Sequence, residues 1–532
     1  MLTTIRSATR PVVAVALATL VGGLAGQALP EPVSQPLFAE FGKMSIPKRP
    51  GFDGAFAVRL FDADDDGDLD LVMGGGGTIP GPRLFLNDGH GAFSEVTVSH
   101  IAQPLRVLTY DIATGDVDGD GRTDFVLAND ANAGPGSRLF LNTGGGQFTD
   151  VSTKSLPLWV WNSSYCFGVS LADMDDDGDL DLVLCDAQGR GRLTLLLNDG
   201  RGVFNDASRY VPNPQIPLLP QAPFWGVDVG DVDADGSPDI VVARGGGIAL
   251  FVNDGHGWFT DASGGLPAMT LTHVRVQLGD VDGDRDLDLV ATNFYGKLAL
   301  FRNDGKGRFA DATATHLPSG APTNQLGYEP ILADLDHDGD LDLYVATSAG
   351  SFDGKDHVLM NDGTGHYVDA TERFIGWRPD GATLGGDVGD VDGDGDLDIV
   401  LPDGCGGDHK LCYTRLYVNR TRQLYAPGTP RIGFPHTWDV HAQPGSVALT
   451  WIATAETGGV RIEPFGVFRL PPAASALVSM AAVGRSGVAT STLPIPADPS
   501  LVGQRACLQA LVFDPAVPSN SRFTGAITDR IR

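Results

Sequence analysis

One acidic nonapeptide occurs seven times, with aspartate at its first, third, fifth and ninth positions in every copy. The carboxylates are Asp62, Asp64, Asp66 and Asp70; Asp116, Asp118, Asp120 and Asp124; Asp173, Asp175, Asp177 and Asp181; Asp231, Asp233, Asp235 and Asp239; Asp280, Asp282, Asp284 and Asp288; Asp334, Asp336, Asp338 and Asp342; and Asp390, Asp392, Asp394 and Asp398. Alternate carboxylates in a tight turn can direct their oxygens to one side, which is the donor set of a hard cation. Calcium accepts about six to eight oxygens in flexible geometry, whereas magnesium demands a near-ideal octahedron. No Cys or His recurs in the loops, which disfavours zinc and copper. Without a counter-charge, such a cluster repels itself strongly. The reading is up to seven Ca2+ sites. The copy at Asp280 is expected to be the weakest, because Arg285 stands where the others have Gly67, Gly121, Gly178, Gly236, Gly339 and Gly395.

The surrounding sequence says what positions these loops. The copies start 54, 57, 58, 49, 54 and 56 residues apart. Each runs into a short apolar strand such as LVMG or IVVA. A second strand follows, ending in an Asn with an aromatic residue six positions on, from Asn87 and Phe93 to Asn419 and Tyr425. Most intervening turns read Asn-Asp-Gly, a hairpin signal. An apolar alternation before each loop supplies a further strand, beginning at Phe56, Tyr110, Phe167, Trp225, Val274, Tyr328 and Leu384. That aromatic-rich position reads as packing. Four strands per unit of roughly 50 residues are the signature of propeller blades. An EF-hand is excluded, since the twelfth position of the first copy is Met73 and strands flank the loop. The expected fold is all-β: a seven-bladed β-propeller over 37–425, then a small β-rich, sandwich-like module over 432–532. Residues near 37–45 are expected to complete the last blade and close the ring.

The nonapeptide, the apolar strand and the RLFLNDG-like and GxF-x-D segments together resemble the FG-GAP or VCBS-type repeat family, which includes the propeller head of integrin α subunits. The resemblance covers roughly residues 50–425. It implies a β-propeller with Ca2+ in its hairpin loops and the four aspartates of each copy as ligands. It does not fix a function.

Net charge is −30, from 37 basic and 67 acidic residues, so nucleic acid and anionic membrane are poor partners. Arg6 and Arg10 precede an apolar run, Val12 to Ala25, which is short for a membrane span. With the small residues that follow, residues 1–28 read as a cleaved signal peptide. The mature chain is expected to be secreted or on the cell surface, monomeric and without a membrane span. Five Cys make a sparse set; Cys166 with Cys185 and Cys405 with Cys412 are candidate bridges, against the alternative of buried thiols.

No G-x-S-x-G, H-E-x-x-H or P-loop pattern occurs. The face opposite the acidic loops is the expected ligand face. Its candidates are the aromatic residues Trp159, Trp161, Tyr165 and Phe224 (beside Trp225), and the polar residues Asp111, His273, Arg275 and Glu329 at the channel mouth. The expected function is a calcium-binding scaffold for an extracellular protein or polysaccharide, more in keeping with binding than with catalysis. The runner-up is a polysaccharide lyase-like enzyme working at the channel mouth.

Overall fold

A computed structural model describes residues 38–39, 46–47 and, apart from short stretches of chain, mostly in the connecting loops, 55–531. The signal-like segment and the Cys405–Cys412 pair lie outside the described residues. Residues 36–419 form one compact unit, and 420–532 belong to a second.

In the first unit each acidic repeat folds into one antiparallel sheet, four-stranded in every case but the second, where Gly76–Gly81 adds a fifth strand beside Leu105–Gly115. In the fourth sheet the inner strand Phe224–Gly230 pairs with Asp239–Arg244, which pairs with Gly247–Asn253, which pairs with Phe259–Asp261. The seven inner strands are Val58–Phe61, Leu105–Gly115, Cys166–Ala172, Phe224–Gly230, His273–Gly279, Gly327–Ala333 and Asp387–Gly389. The acidic loop connects first strand to second, and its ninth aspartate opens the second strand in every sheet. Those second strands are apolar runs because both faces are buried, as in Asp70–Met73 and Asp181–Asp186.

The cores lie between neighbouring sheets. Val241 and Leu250 of the fourth sheet pack with Leu289 and Phe301 of the fifth. Val58, Leu71 and Phe85 of the first sheet pack in the same way with Val400 and Val418 of the seventh. The short strand Phe38–Ala39 pairs with Arg415–Asn419 and places Phe38 opposite Asn419. Phe148 takes that register opposite Asn142, and Phe259 opposite Asn253. The N-terminal segment therefore completes the last sheet, as expected. Tyr425 does not hold the position its spacing implied. Phe38 has taken that place, and Tyr425 pairs with Asp439 in the second unit.

Cys166 and Cys185 are buried thiols with no disulfide between them. A bulge at Phe167 offsets them, so that Cys166 lies opposite Asp186 and Cys185 opposite Gly168. Cys166 packs in the core shared with the second sheet and Cys185 in the core shared with the fourth. Thiols on opposite faces of a sheet cannot be joined.

The second unit is also all-β. Pro435–His441 pairs with Val488–Pro494, while Val447–Ala453 lies between Ala476–Ala482 and Arg505–Phe513. Trp438 is fully buried among Val440, Ala448 and Leu508, and its Nε1 donates to Thr450 Oγ1 at 3.2 Å.

Candidate metal loops and an aromatic arc

Each position of the acidic loop has its own task. In the first copy, Asp62 Oδ1 accepts from the N–H groups of Asp65 and Asp66, at 2.8 and 3.2 Å, and its Oδ2 accepts from Gly67 at 3.0 Å. Asp66 Oδ1 accepts from Asp68 N–H at 3.0 Å. These bonds coil the turn. They require left-handed backbone at the fourth and sixth positions, with φ of 66° at Asp65 and 91° at Gly67. Asp70 accepts from Ala63 N–H at 2.9 Å and from Asn87 N–H at 2.8 Å. The ninth aspartate thus has a job that ligand counting did not anticipate: both its oxygens pin the loop to the sheet. All seven copies repeat this pair of bonds, down to Val391 and Asn419 on Asp398.

The third position is different. Asp64, Asp118, Asp175, Asp233 and Asp336 each hold Oδ1 buried with no hydrogen-bond partner. In the first four copies that residue also groups with loop neighbours whose oxygens lie within 4.8 Å of one another, as in Asp116, Asp118 and Asp124, and Asp280, Asp282 and Asp288 of the fifth loop group in the same way. An orphaned buried carboxylate oxygen costs free energy unless a cation meets it. Burial, and then the neighbouring carboxylates, raise these groups above the ordinary carboxylate range, Asp336 to about 6. In the seventh copy Asp394 and Asp398 rise well above it for the same reasons. The donor set is all oxygen and fits Ca2+.

The asparagine at the end of each third strand acts as a latch, tying its own sheet to the acidic loop of the sheet before it. Asn142 Nδ2 donates to the carbonyl of Ala63, Asn198 to Val117, Asn253 to Met174, Asn303 to Val232, Asn361 to Val281 and Asn419 to Leu335, at 2.7 to 3.0 Å. Asn87 of the first sheet donates at 2.7 Å to Val391 of the seventh.

A cavity of about 320 Å³ is lined by the inner strands of all seven sheets, among them Arg59, Asp111, Val169, Asp228, Arg275, Glu329 and Asp387. Arg59 pairs with Asp111 at 3.2 Å, and Arg275 with Glu329 at 3.3 Å. Burial works against the Arg275 charge, but Asp111 and Glu329 outweigh it and hold its pKa above the usual value. Burial raises Glu329, offset in part by Arg275. The Arg275 guanidinium also donates to the carbonyls of Phe167, Trp225 and Tyr110, at 2.6, 3.2 and 2.8 Å.

Those three residues belong to a run of half-buried rings. Phe56 stacks on Tyr110 with centroids 5.6 Å apart, Tyr110 meets Phe167 at 4.0 Å, and Phe167 meets Trp225 at 4.6 Å. Tyr165 joins edge-on to Phe167 at 4.9 Å. Tyr110, Phe167 and Trp225 lie on the inner strands of sheets two to four, and Phe56 and Tyr165 just before the inner strands of sheets one and three. Tyr110, Phe167 and Trp225 each sit at a register shift of the inner strand. A bulge inserts one unpaired residue and re-aims its side chain.

Six overlapping stretches, residues 62–127, 116–184, 173–242, 231–291, 280–345 and 334–401, match the FG-GAP-like repeat. The chain belongs to the FG-GAP-like repeat family. It is similar to cartilage acidic protein 1 of Mus musculus, at 25% identity over 420 residues, 70% of this chain and 61% of that protein. The Homo sapiens protein is 24% identical over 417 residues, 70% of this chain and 60% of that one. The chain thus spans about 60% of the length of these curated relatives. A solved Agrocybe aegerita lectin, described as recognising non-reducing terminal N-acetylglucosamine, aligns over 60% of this chain and 80% of that one, at 20% identity and a TM-score of 0.43.

The FG-GAP-like array brings together only some of the residues expected on a ligand face. Asp111, Arg275 and Glu329 do converge, but as an interlocked ion network with Arg59. Tyr165 lies in the ring run. Trp159 and Trp161 lie on a short helix, partly buried against the core between sheets two and three. Phe224 and His273 are buried, each 3% exposed, and are not on a surface. The bulge explains Phe224: it turns Trp225 outward and its neighbour into the core. Phe56, Tyr110 and Phe167 lie in the ring run, where the sequence pattern assigns them to packing; their recurrence six places before the loop is the signal of a shared position. No helix among the described residues is long and apolar enough to cross a membrane.

Proposed function

We propose that this chain is an exported, calcium-binding β-propeller of seven blades, closed into a ring, that acts as a binding scaffold. Its ligand face is the aromatic arc of Phe56, Tyr110, Tyr165, Phe167 and Trp225, and its ligand is a polysaccharide. The half-buried arc carries this reading. Contiguous half-buried rings can stack on the apolar faces of sugars. Calcium would be held by the first, third, fifth and ninth aspartates of the loops, at up to seven sites. Its charge would neutralise the buried third-position oxygens and fix the hairpins. The Mus musculus and Homo sapiens relatives are called cartilage acidic proteins, a name in keeping with a secreted chain of high negative charge. We expect the mature protein to be a monomer outside the cell.

The lyase-like alternative needs a base and an electrophile at the channel mouth. Arg275 there donates both terminal nitrogens to three carbonyls and pairs its charge with Glu329, which favours the scaffold. Incubation with a panel of soluble polysaccharides tests the choice. Retention of a polymer without release of unsaturated sugars supports the scaffold; release of unsaturated sugars overturns it.

A further inference from the structure

We infer that the fifth acidic loop holds no divalent ion and that Arg302 takes the ion's place. This rests on the calcium reading of the other loops. Loop five keeps the backbone of its siblings: Asp280 accepts from Gly283 N–H at 2.8 Å and from Arg285 N–H at 3.0 Å, as Asp62 does from Asp65 and Gly67. Arg285 achieves this with φ of 76°, in the left-handed region that a glycine occupies elsewhere. The difference lies in the neighbouring strand.

The residue before each latch asparagine is Leu86, Leu141, Leu197, Val252, Met360 or Val418 in the other six sheets. Leu86, Leu141 and Leu197 lie close to Asp64, Asp118 and Asp175, around the hairpin glycine of the next sheet. In the fifth sheet this residue is Arg302. Its Nη2 contacts Asp282 Oδ2 and lies 3.8 Å from Asp284 Oδ2. The Asp282 side chain is 4% exposed, so this contact is made largely out of water. Third- and fifth-position carboxylates that a cation would bridge are thus met by a guanidinium of the same sheet. Arg285 adds a second positive charge, on the loop itself. A calcium ion would have to displace Arg302 and then bear its repulsion. The fifth loop is therefore held by its own arginine through both its third and fifth carboxylates; in the second loop Arg122 meets only the fifth-position Asp120.

Hydrogen exchange read by mass spectrometry, with and without calcium, tests this loop by loop. In the wild-type chain calcium should slow exchange several-fold at 62–70, 116–124, 173–181, 231–239, 334–342 and 390–398, and leave 280–288 unchanged. Arg302→Leu combined with Arg285→Gly restores the residue types of the sibling sheets, and calcium should then slow 280–288 as well. Slowing of 280–288 in the wild type to the same degree as the others overturns the inference, and so does a double variant in which it stays unresponsive. If no loop responds in either protein, the calcium reading itself falls and this one with it.

Discussion

The backbone N–H of Leu60 in the first sheet donates to Asp387 Oδ2 in the seventh at 2.7 Å, across 327 residues of sequence. The same device recurs inside the array, where Leu278 donates to Asp228 at 2.8 Å and Val169 to Asp111 at 3.2 Å. The joint between the first and seventh sheets is therefore built like the internal joints. Asp387→Ala leaves the Leu60 N–H without its acceptor and should cost about 1–3 kcal/mol. Asn87→Ala should shift the denaturation midpoint about as far as Asn198→Ala does. Wild-type midpoints for Asp387→Ala and Asn87→Ala would show that the first-to-seventh joint contributes nothing.

Chelation should loosen the whole array. A ligand that binds only the folded chain contributes about 2.7 kcal/mol per site at a hundred times its dissociation constant. Scanning calorimetry in EDTA should give a melting temperature lower by about 10 °C or more, recovered on adding calcium. Equal melting in both buffers contradicts the metal assignment.

The acidic loops, the repeat and the last-sheet completion by residues near 38 were legible in the sequence, because each leaves a mark at fixed spacing. The latch role of Asn142 and its equivalents was half legible: the spacing to the aromatic residue marked a hairpin, but the bond to the preceding sheet joins residues some 80 positions apart. The bulges left no mark. One unpaired residue reverses inward and outward along a strand, so Phe224 and Trp225 exchanged roles. Arg302 was visible as one basic residue in a column of apolar ones, but its partner Asp282 belongs to a different segment of the repeat.

The channel should respond to acid. Burial lifts Asp228 to about 6, against the hydrogen bonds from Leu278 and Val229 that favour its charge. The folded state then holds a proton more tightly than the unfolded one. Stability from this group is full below the ordinary carboxylate value of 3.8 and is lost as pH rises through about 6. Wild type should therefore lose stability relative to Asp228→Asn between roughly pH 4 and 6, with a constant difference above that. A stability difference that does not change with pH contradicts the shift.

Cys166, Cys185 and Cys507 are at most 1% exposed. Burial lifts the Cys185 thiol well above its usual pKa, which lowers its thiolate fraction further. Iodoacetamide should leave all three unmodified in the folded chain and label all three in guanidinium, as read by peptide mass spectrometry. Labelling of Cys185 under native conditions would contradict its placement between sheets three and four.

We place the activity of this chain at the aromatic arc, away from the aspartates of its acidic loops. Titration of a polysaccharide panel with wild type, Trp225→Ala and Tyr165→Ala, all in calcium, decides this. Saturable binding of at least one polymer by the wild type is expected. Each variant should weaken that binding about tenfold, equal to about 1.4 kcal/mol, without lowering the melting temperature to the chelated value. Wild-type affinity in both variants, or no polymer bound by the wild type, would contradict this placement.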